Sequence, residues 1–300
     1  MYLNNDLLEK EKNAIKILKT FAPKTEPYYL CYSGGKDSDV IRILAELSGV
    51  QYESHHNLTT VDAPETMQYI RSVPGVIIDK SHYEDGTPIT MWNLIVKKRM
   101  PPTRKVRYCC ETLKENGGEG RLKITGVRWE ESTARYEGSD TVIITKKPKK
   151  AIKVAKEFGA KFSTNKWGGV VLSGDNTENR RVVEHCYRNQ NTRINPIVDW
   201  TTQNVWTFLR HYGCAANPLY QCGEKRVGCL LCSLPGPNNM KMDAKKYPKY
   251  KELYIHAFDR MLLKREQDGL PMREWKTGED VYNWWVGINP DQMVLDGFEV

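Results

Sequence analysis

No apolar run in the 300-residue sequence is long enough to span a bilayer, so neither a helical membrane protein nor a membrane partner is expected. Residues Met1 to Thr20 are charged and helical in pattern, which does not fit a secretory leader. The expected compartment is therefore the cytoplasm. No internal repeat is visible, which sets repeat architectures aside. The phosphate loop of common ATPases is also missing. Five residues before the Gly35-Lys36 pair stands Leu30 rather than Gly, and Asp37 follows Lys36 where Ser or Thr is needed. That spacing excludes a Walker-type mechanism. No cysteine follows Cys232. The net charge of +8 is modest; it permits a polyanionic partner without requiring one.

What is there begins with Ser33-Gly34-Gly35-Lys36-Asp37-Ser38, directly after the apolar run Tyr28–Tyr32. A strand, a glycine turn and a helix start form a cradle for phosphate. Glycines let the backbone approach an anion closely. The amides opening the next helix point at that anion, and the helix dipole favours its charge. Lys36 adds a point charge, and Ser33 and Ser38 add hydroxyls.

Along the chain, Leu7, Leu8, Ala14, Ile15, Leu18 and Phe21 fall near helical spacing, and Pro23 and Pro27 end that segment. A helix is expected over about Ser38–Leu47, closed by Gly49. Strands are expected at Tyr28–Tyr32, near Gln51–Leu58, and at Val76–Ile78, Lys123–Val127, Val142–Thr145 and Val198–Trp200. Strands alternating with helices predict an α/β fold, a mainly parallel sheet with helices on both faces. Pro235-Gly236-Pro237 marks a boundary, and the tail from Lys245 to Val300 reads as a helical appendage. The expected organisation is an N-terminal helix over 1–27, a nucleotide-binding region over 28–235 and a helical C-terminal appendage over 236–300.

Charge is uneven. Lys97, Lys98, Arg99, Arg104, Lys105 and Arg107 form one basic run, directly before Cys109-Cys110. Lys146, Lys147, Lys149, Lys150, Lys153 and Lys156 form another, which reads first as solvated surface. Cys222, Cys229 and Cys232 are separated by gaps of six and two residues. Three thiolates need a fourth ligand, and Cys109 or Cys110 can supply it. Zinc and an iron–sulfur cluster both accept such a set. Cys31, Cys186 and Cys214 stand alone and read as core thiols.

Ser33–Ser38 resembles the PP-loop of the ATP pyrophosphatase superfamily. Together with Thr59–Thr66, Cys110–Lys114, Gly126–Arg135, Asn195–Thr201 and Val205-Trp206, it resembles the phosphoadenosine phosphosulfate (PAPS) reductase family over roughly residues 28–235. The last cysteine segment is similar to that of the DNA phosphorothioation branch. The resemblance implies an adenine nucleotide alpha hydrolase-like fold that binds ATP or a PAPS-like nucleotide through Ser33, Gly34, Gly35, Lys36, Asp37, Ser38, Asp62, Arg128 and Arg135. Lys36, Asp37 and Arg128 would serve catalysis, with Asp37 capping the helix or placing Mg²⁺. It also implies a four-iron, four-sulfur cluster on Cys110, Cys222, Cys229 and Cys232, or on Cys109, Cys110, Cys229 and Cys232 if the pattern of adenylyl-sulfate reductases applies; zinc is the alternative. Sulfonucleotide reductases attack sulfate with a cysteine near the C-terminus, and none follows Cys232. The leading expectation is therefore adenylation of a substrate followed by sulfur transfer. A nucleic-acid acceptor would use the basic runs and Trp92, Trp129 or Trp167, and a cysteine desulfurase would donate sulfur. The alternatives are a sulfonucleotide reductase using an external thiol, and a non-catalytic nucleotide-binding module with structural zinc.

Overall fold

The computed structural model describes residues 3–272 and 274–287. In chain order the strands and helices are α1 (Asn5–Thr20), β1 (Tyr28–Cys31), α2 (Lys36–Ser48), β2 (Tyr52–Asn57), α3 (Pro64–Ser72), β3 (Val76–Asp79), α4 (Met91–Lys98) and α5 (Tyr108–Cys110). There follow β4 (Lys123–Ile124), α6 (Thr133–Gly138), β5 (Val142–Ile144), α7 (Pro148–Glu157), β6 (Ser163–Thr164), β7 (Val170–Leu172), α8 (Thr177–Cys186), β8 (Thr192–Ile194), α9 (Thr202–His211), α10 (Pro237–Lys246), α11 (Pro248–Gln267) and α12 (Gly278–Trp285). They form two compact units interleaved along the chain. The first holds residues up to 56, 64–79 and 118–227; the second holds 57–63, 80–117 and the described residues from 228 onward. The linear partition at 27 and 235 stands as a proposal beside these units.

The first unit is built on one sheet of order β3-β2-β1-β4-β8-β5-β7-β6. Its centre is parallel: β1 pairs with β2 and β4, and β4 with β8. Tyr28, Tyr29 and Leu30 of β1 are buried, as a central strand covered on both faces requires. The expected α/β fold with a mostly parallel sheet flanked by helices is therefore present. The other arm differs. β5 runs antiparallel to β8 and β7, and β6 antiparallel to β7. Neither β6 nor β7 is among the strands expected from the sequence.

Val198–Trp200 is not a strand. Pro196 has no amide to give a ladder, and Trp200 N closes a turn by donating to Ile197 O at 3.0 Å. The strand lies just before it, at β8. Ile197, Val198 and Trp200 are apolar because the turn is buried, so their hydrophobicity reports burial rather than extension. α1 forms as expected, capped by Asn4, whose side chain accepts from Leu7 N at 2.9 Å, with Leu7, Ala14 and Leu18 inward.

In the second unit, α11 packs on α4 and α12. Its core is aromatic: Tyr254 meets Trp92 at 5.1 Å and Trp285 at 4.7 Å between ring centroids, and Phe258 meets Trp285 at 5.3 Å. Trp285 donates its indole N–H to Pro102 O at 2.5 Å. Trp92, Trp275, Trp284 and Trp285 therefore work in packing. The C-terminal helical extension, α10 to α12, opens at Pro237, the first residue of α10. Residues 288–300, the end of the expected helical tail, lie outside the described residues.

Candidate functional site

The first unit places Ser33–Ser38 between the end of β1 and the first turn of α2. Gly34 adopts φ +71°, a left-handed conformation, and a Cβ there would stand 2.8 Å from Ile70 Cγ1. Both facts select glycine. Asn217, fully buried, donates to Gly34 O at 3.0 Å and to Thr66 Oγ1 at 3.2 Å, fixing the turn from behind. Gly35 is the N-cap of α2 and offers no side-chain cap. Ser38 Oγ donates back to Gly35 O at 2.7 Å, and Ser33 Oγ lies 3.3 Å from Ser38 Oγ. Tyr220, which sequence reasoning missed, accepts a hydrogen bond from Lys36 N at 3.0 Å. Gly34→Ala should destabilise the protein by about 2 kcal/mol through the left-handed backbone and the clash with Ile70; urea denaturation checks this.

Charge gathers at the same helix start. Lys36 Nζ lies 3.0 Å from Asp37 Oδ2, and Arg128 Nε donates to Asp37 Oδ1 at 2.7 Å. Arg128 also reaches Glu130 Oε2 at 2.9 Å and Trp200 O at 3.1 Å, and its side chain is only 2% exposed. The Asp37 carboxylate is thus engaged by two cations and serves as their counter-charge. Gly126 makes this approach possible, since a Cβ there would lie 3.0 Å from Asp37 backbone atoms. Glu130 accepts from Thr202 Oγ1 at 2.7 Å and from Arg128, and these hydrogen bonds, that of Thr202 first, hold its carboxyl below the usual range. Arg135 is placed differently: it pairs with Glu131, four residues earlier in the chain, at 3.2 Å.

A cleft of about 530 Å³ opens here, lined by Lys36, Thr202, Trp206, Tyr220, Gly223, Glu224 and Lys225. Trp206 and Tyr220 meet edge to face at 5.0 Å. Apart from Lys36, none of these residues is among those expected to bind nucleotide. The surroundings of Asn217-Pro218 carry turn signals in the sequence, but nothing marks Tyr220 or Trp206 as loop partners.

Behind the loop, Asp39 is fully buried and accepts from Tyr32 Oη at 2.5 Å and Tyr69 Oη at 3.0 Å. Burial pushes its carboxyl up to about 6, against the opposing pull of those two hydroxyls and of Arg42. Between the ordinary carboxylate range and pH 6 the folded chain keeps a proton that the unfolded chain releases. Stability contributed by protonated Asp39 is therefore complete at low pH and lost as pH rises through about 6. Wild type minus Asp39→Asn should show a decline of roughly 2–3 kcal/mol between pH 4 and 6 in denaturation experiments.

The second unit gathers a different group. Asp62 and Cys229 form an antiparallel bridge, and Leu230 N donates to Val61 O at 2.8 Å. Cys229 Sγ lies 3.5 Å from Thr59 Oγ1, while Asp62 is held in its own turn by Thr59 N at 2.9 Å and Thr59 Oγ1 at 2.8 Å. Asp62 therefore belongs with the cysteines and not with the phosphate loop's unit. Cys109 shares a hydrogen bond with Cys110, which together with burial and the neighbouring Cys229 and Cys232 pushes the Cys109 thiol up. The Cys110 thiol is lowered to about 6 by that hydrogen bond, Lys114 and Arg107. Lys114 is raised, chiefly by Cys229, with which it shares a hydrogen bond.

Cys109, Cys110, Cys229 and Cys232 thus share one neighbourhood, whereas Cys222 belongs to the first unit, exposed in the turn before Gly223. The expected set that includes Cys222 draws on both units. Among the described residues, no three His, Cys, Asp or Glu side chains are placed to hold a metal ion. Lys114 bonds Cys229, and the Cys109 and Cys110 thiols bond each other. No chemical step is drawn here through a cluster or zinc. Of the lone cysteines, Cys186 is buried, and Cys31 and Cys214 are partly so.

A strand–glycine turn–helix loop at the end of a parallel strand defines a nucleotide-binding α/β protein of the PP-loop kind. Residues 27–235 match the phosphoadenosine phosphosulfate reductase domain, and the chain belongs to that family. It is 25% identical over 253 residues to an uncharacterised protein of Methanocaldococcus jannaschii, covering 80% of this chain and 43% of that one. It is 42% identical over 41 residues to the adenosine 5'-phosphosulfate reductase of Allochromatium vinosum, covering 14% of this chain and 16% of that enzyme. The chain thus spans less than half the length of these two relatives. The crystal structure of a Candida auris phosphoadenylyl-sulfate reductase, a phosphate complex, is similar at a TM-score of 0.42 and 14% identity, covering 76% of this chain and 97% of that one. No helix among the described residues is long and apolar enough to cross a membrane.

Proposed function

We propose that the cleft at Ser33–Ser38 binds an adenine sulfonucleotide and that the chain promotes its reduction by thiols supplied from outside these 300 residues. The observation that carries this reading is the loop itself: glycines at the α2 N-terminus, with Lys36 on the cleft wall and Arg128 tied to Asp37 beside it. The family match over residues 27–235 and the short similarity to an adenosine 5'-phosphosulfate reductase support it. This favours the reductase over the adenylating sulfur transferase that the missing C-terminal cysteine suggested.

In the proposed reaction an external thiolate attacks the sulfate sulfur. The bond from that sulfur to the phosphate oxygen breaks, and the adenine nucleotide leaves carrying both electrons of that bond. A second thiolate attacks the first thiol's sulfur, giving a disulfide and releasing sulfite. Two thiols are oxidised and one sulfate group is reduced. The loop holds the leaving phosphate: the Lys36 ammonium and the positive end of the α2 dipole meet its growing charge. Arg128 acts through Asp37 and keeps the helix start in position.

The test is product identity. Anaerobic incubation of the full chain with PAPS or adenylyl sulfate and dithiothreitol should release sulfite, and ATP should give no pyrophosphate. Pyrophosphate from ATP together with an absence of sulfite would transfer the assignment to an adenylating sulfur transferase, the reading in which a nucleic-acid acceptor and a sulfur donor take part.

A further inference from the structure

The second lysine run remains outside that chemistry, and its surroundings are distinctive. From Lys146 to Trp167 the chain carries eight lysines against one acid, Glu157, a net +7 beside +8 for the whole chain. All eight lysines are exposed. Only Lys146 has a carboxylate partner among the described residues, Glu119. The run covers α7, whose Ala151, Val154 and Ala155 face inward and leave Lys149, Lys153 and Lys156 outside. It continues into β6, the outer strand of the sheet, and into the tip that joins β6 to β7.

That tip presents an aromatic ring. Trp167 is 67% exposed, unusual for the largest apolar side chain, yet its backbone is fixed. Asn165 Oδ1 accepts from Trp167 N at 3.1 Å and Gly169 N at 2.9 Å, and Asn165 Nδ2 donates to Gly138 O at 3.1 Å. The Trp167 ring lies over Gly138, where a Cβ would come within 2.9 Å of Trp167 Cζ3. Lys166 Nζ lies 4.8 Å from the ring centroid. Tyr136, on α6 two residues before Gly138, is also 67% exposed. A rigid, exposed tryptophan beside a surface of one charge has the two elements that bind a flexible polyanion with flat bases: cations for phosphates and a plane for stacking.

We infer that α7 and the β6–β7 tip form a binding surface for single-stranded nucleic acid, with phosphates on the lysines and a base stacked on Trp167. This surface is separate from the nucleotide cleft and stands or falls independently of it. Stacking is tolerant of sequence, so little base preference is expected.

The test uses the full chain and a fluorescein-labelled 20-nucleotide oligo(dT), read by anisotropy. Binding should weaken about 50-fold between 50 and 200 mM salt if roughly four phosphates are neutralised on a single strand. Trp167→Ala should weaken it about tenfold at constant salt slope. Lys149→Gln/Lys153→Gln/Lys156→Gln should flatten the slope by about two. Both variants should keep the wild-type melting temperature and nucleotide affinity. No binding at 50 mM salt would overturn the inference. So would binding that neither variant weakens. Heparin bound as well as oligo(dT), with both indifferent to Trp167→Ala, would show a surface for polyanions in general and overturn the assignment to nucleic acid.

Discussion

Arg128→Ala should unfold at markedly lower urea than the wild type and lose turnover even where it stays folded. The guanidinium is 2% exposed and holds Asp37, Glu130 and the Trp200 carbonyl at once. Removing one partner of a buried ion pair costs about 3–5 kcal/mol, because the remaining charges lose their compensation. Asp37 is 20% and Glu130 48% exposed, so water recovers part of that loss. We therefore expect about 3 kcal/mol, the lower end of the range. Arg128→Lys should recover little, since a single ammonium cannot replace a planar fork reaching three acceptors. A lysine variant with wild-type stability and turnover would contradict this account of the site.

Lys36→Met should leave the fold intact and cut nucleotide use. Its stem is buried and its ammonium reaches Asp37 and the cleft. Methionine keeps the apolar volume and removes the charge. A hydrogen bond to a charged group contributes about 1.5–3 kcal/mol, so kcat/KM should fall about 10–100-fold. Asp37 loses one of its two cations but keeps Arg128, and the loss of stability should be much smaller than for Arg128→Ala. Lys225 also lines the cleft. Sulfite assays on Lys36→Met, with Lys225→Met as a comparison, separate a charge needed at the loop from positive charge anywhere in the cleft.

The loop could be read from sequence because its geometry is local: two glycines and a lysine within six residues determine the turn and the helix start. The strands were legible where they are apolar, as in Tyr28–Tyr32 and Val76–Ile78. β6 was not, since Ser163 and Thr164 are exposed and lack an apolar pattern. Nor was the turn at Pro196–Asp199, whose buried Ile197 and Val198, followed by buried Trp200, imitate a strand. Tyr220 and Asn217 lie more than 180 positions from the loop they support, and no local pattern announces such a contact. The cysteines show the converse: Cys222, Cys229 and Cys232 announce themselves by local spacing, whereas nothing local marks Cys109 and Cys110 as neighbours of Cys229 and Cys232.

The central claim is that Ser33–Ser38 seats an adenine sulfonucleotide by its phosphate. Calorimetric titration of the full chain with adenylyl sulfate tests it most directly, with AMP as competitor because both carry the phosphate the loop should grip. The account predicts one saturable site that AMP displaces and that weakens at least tenfold in Lys36→Met. Absence of saturable binding, or binding unaffected by both AMP and Lys36→Met, would contradict it.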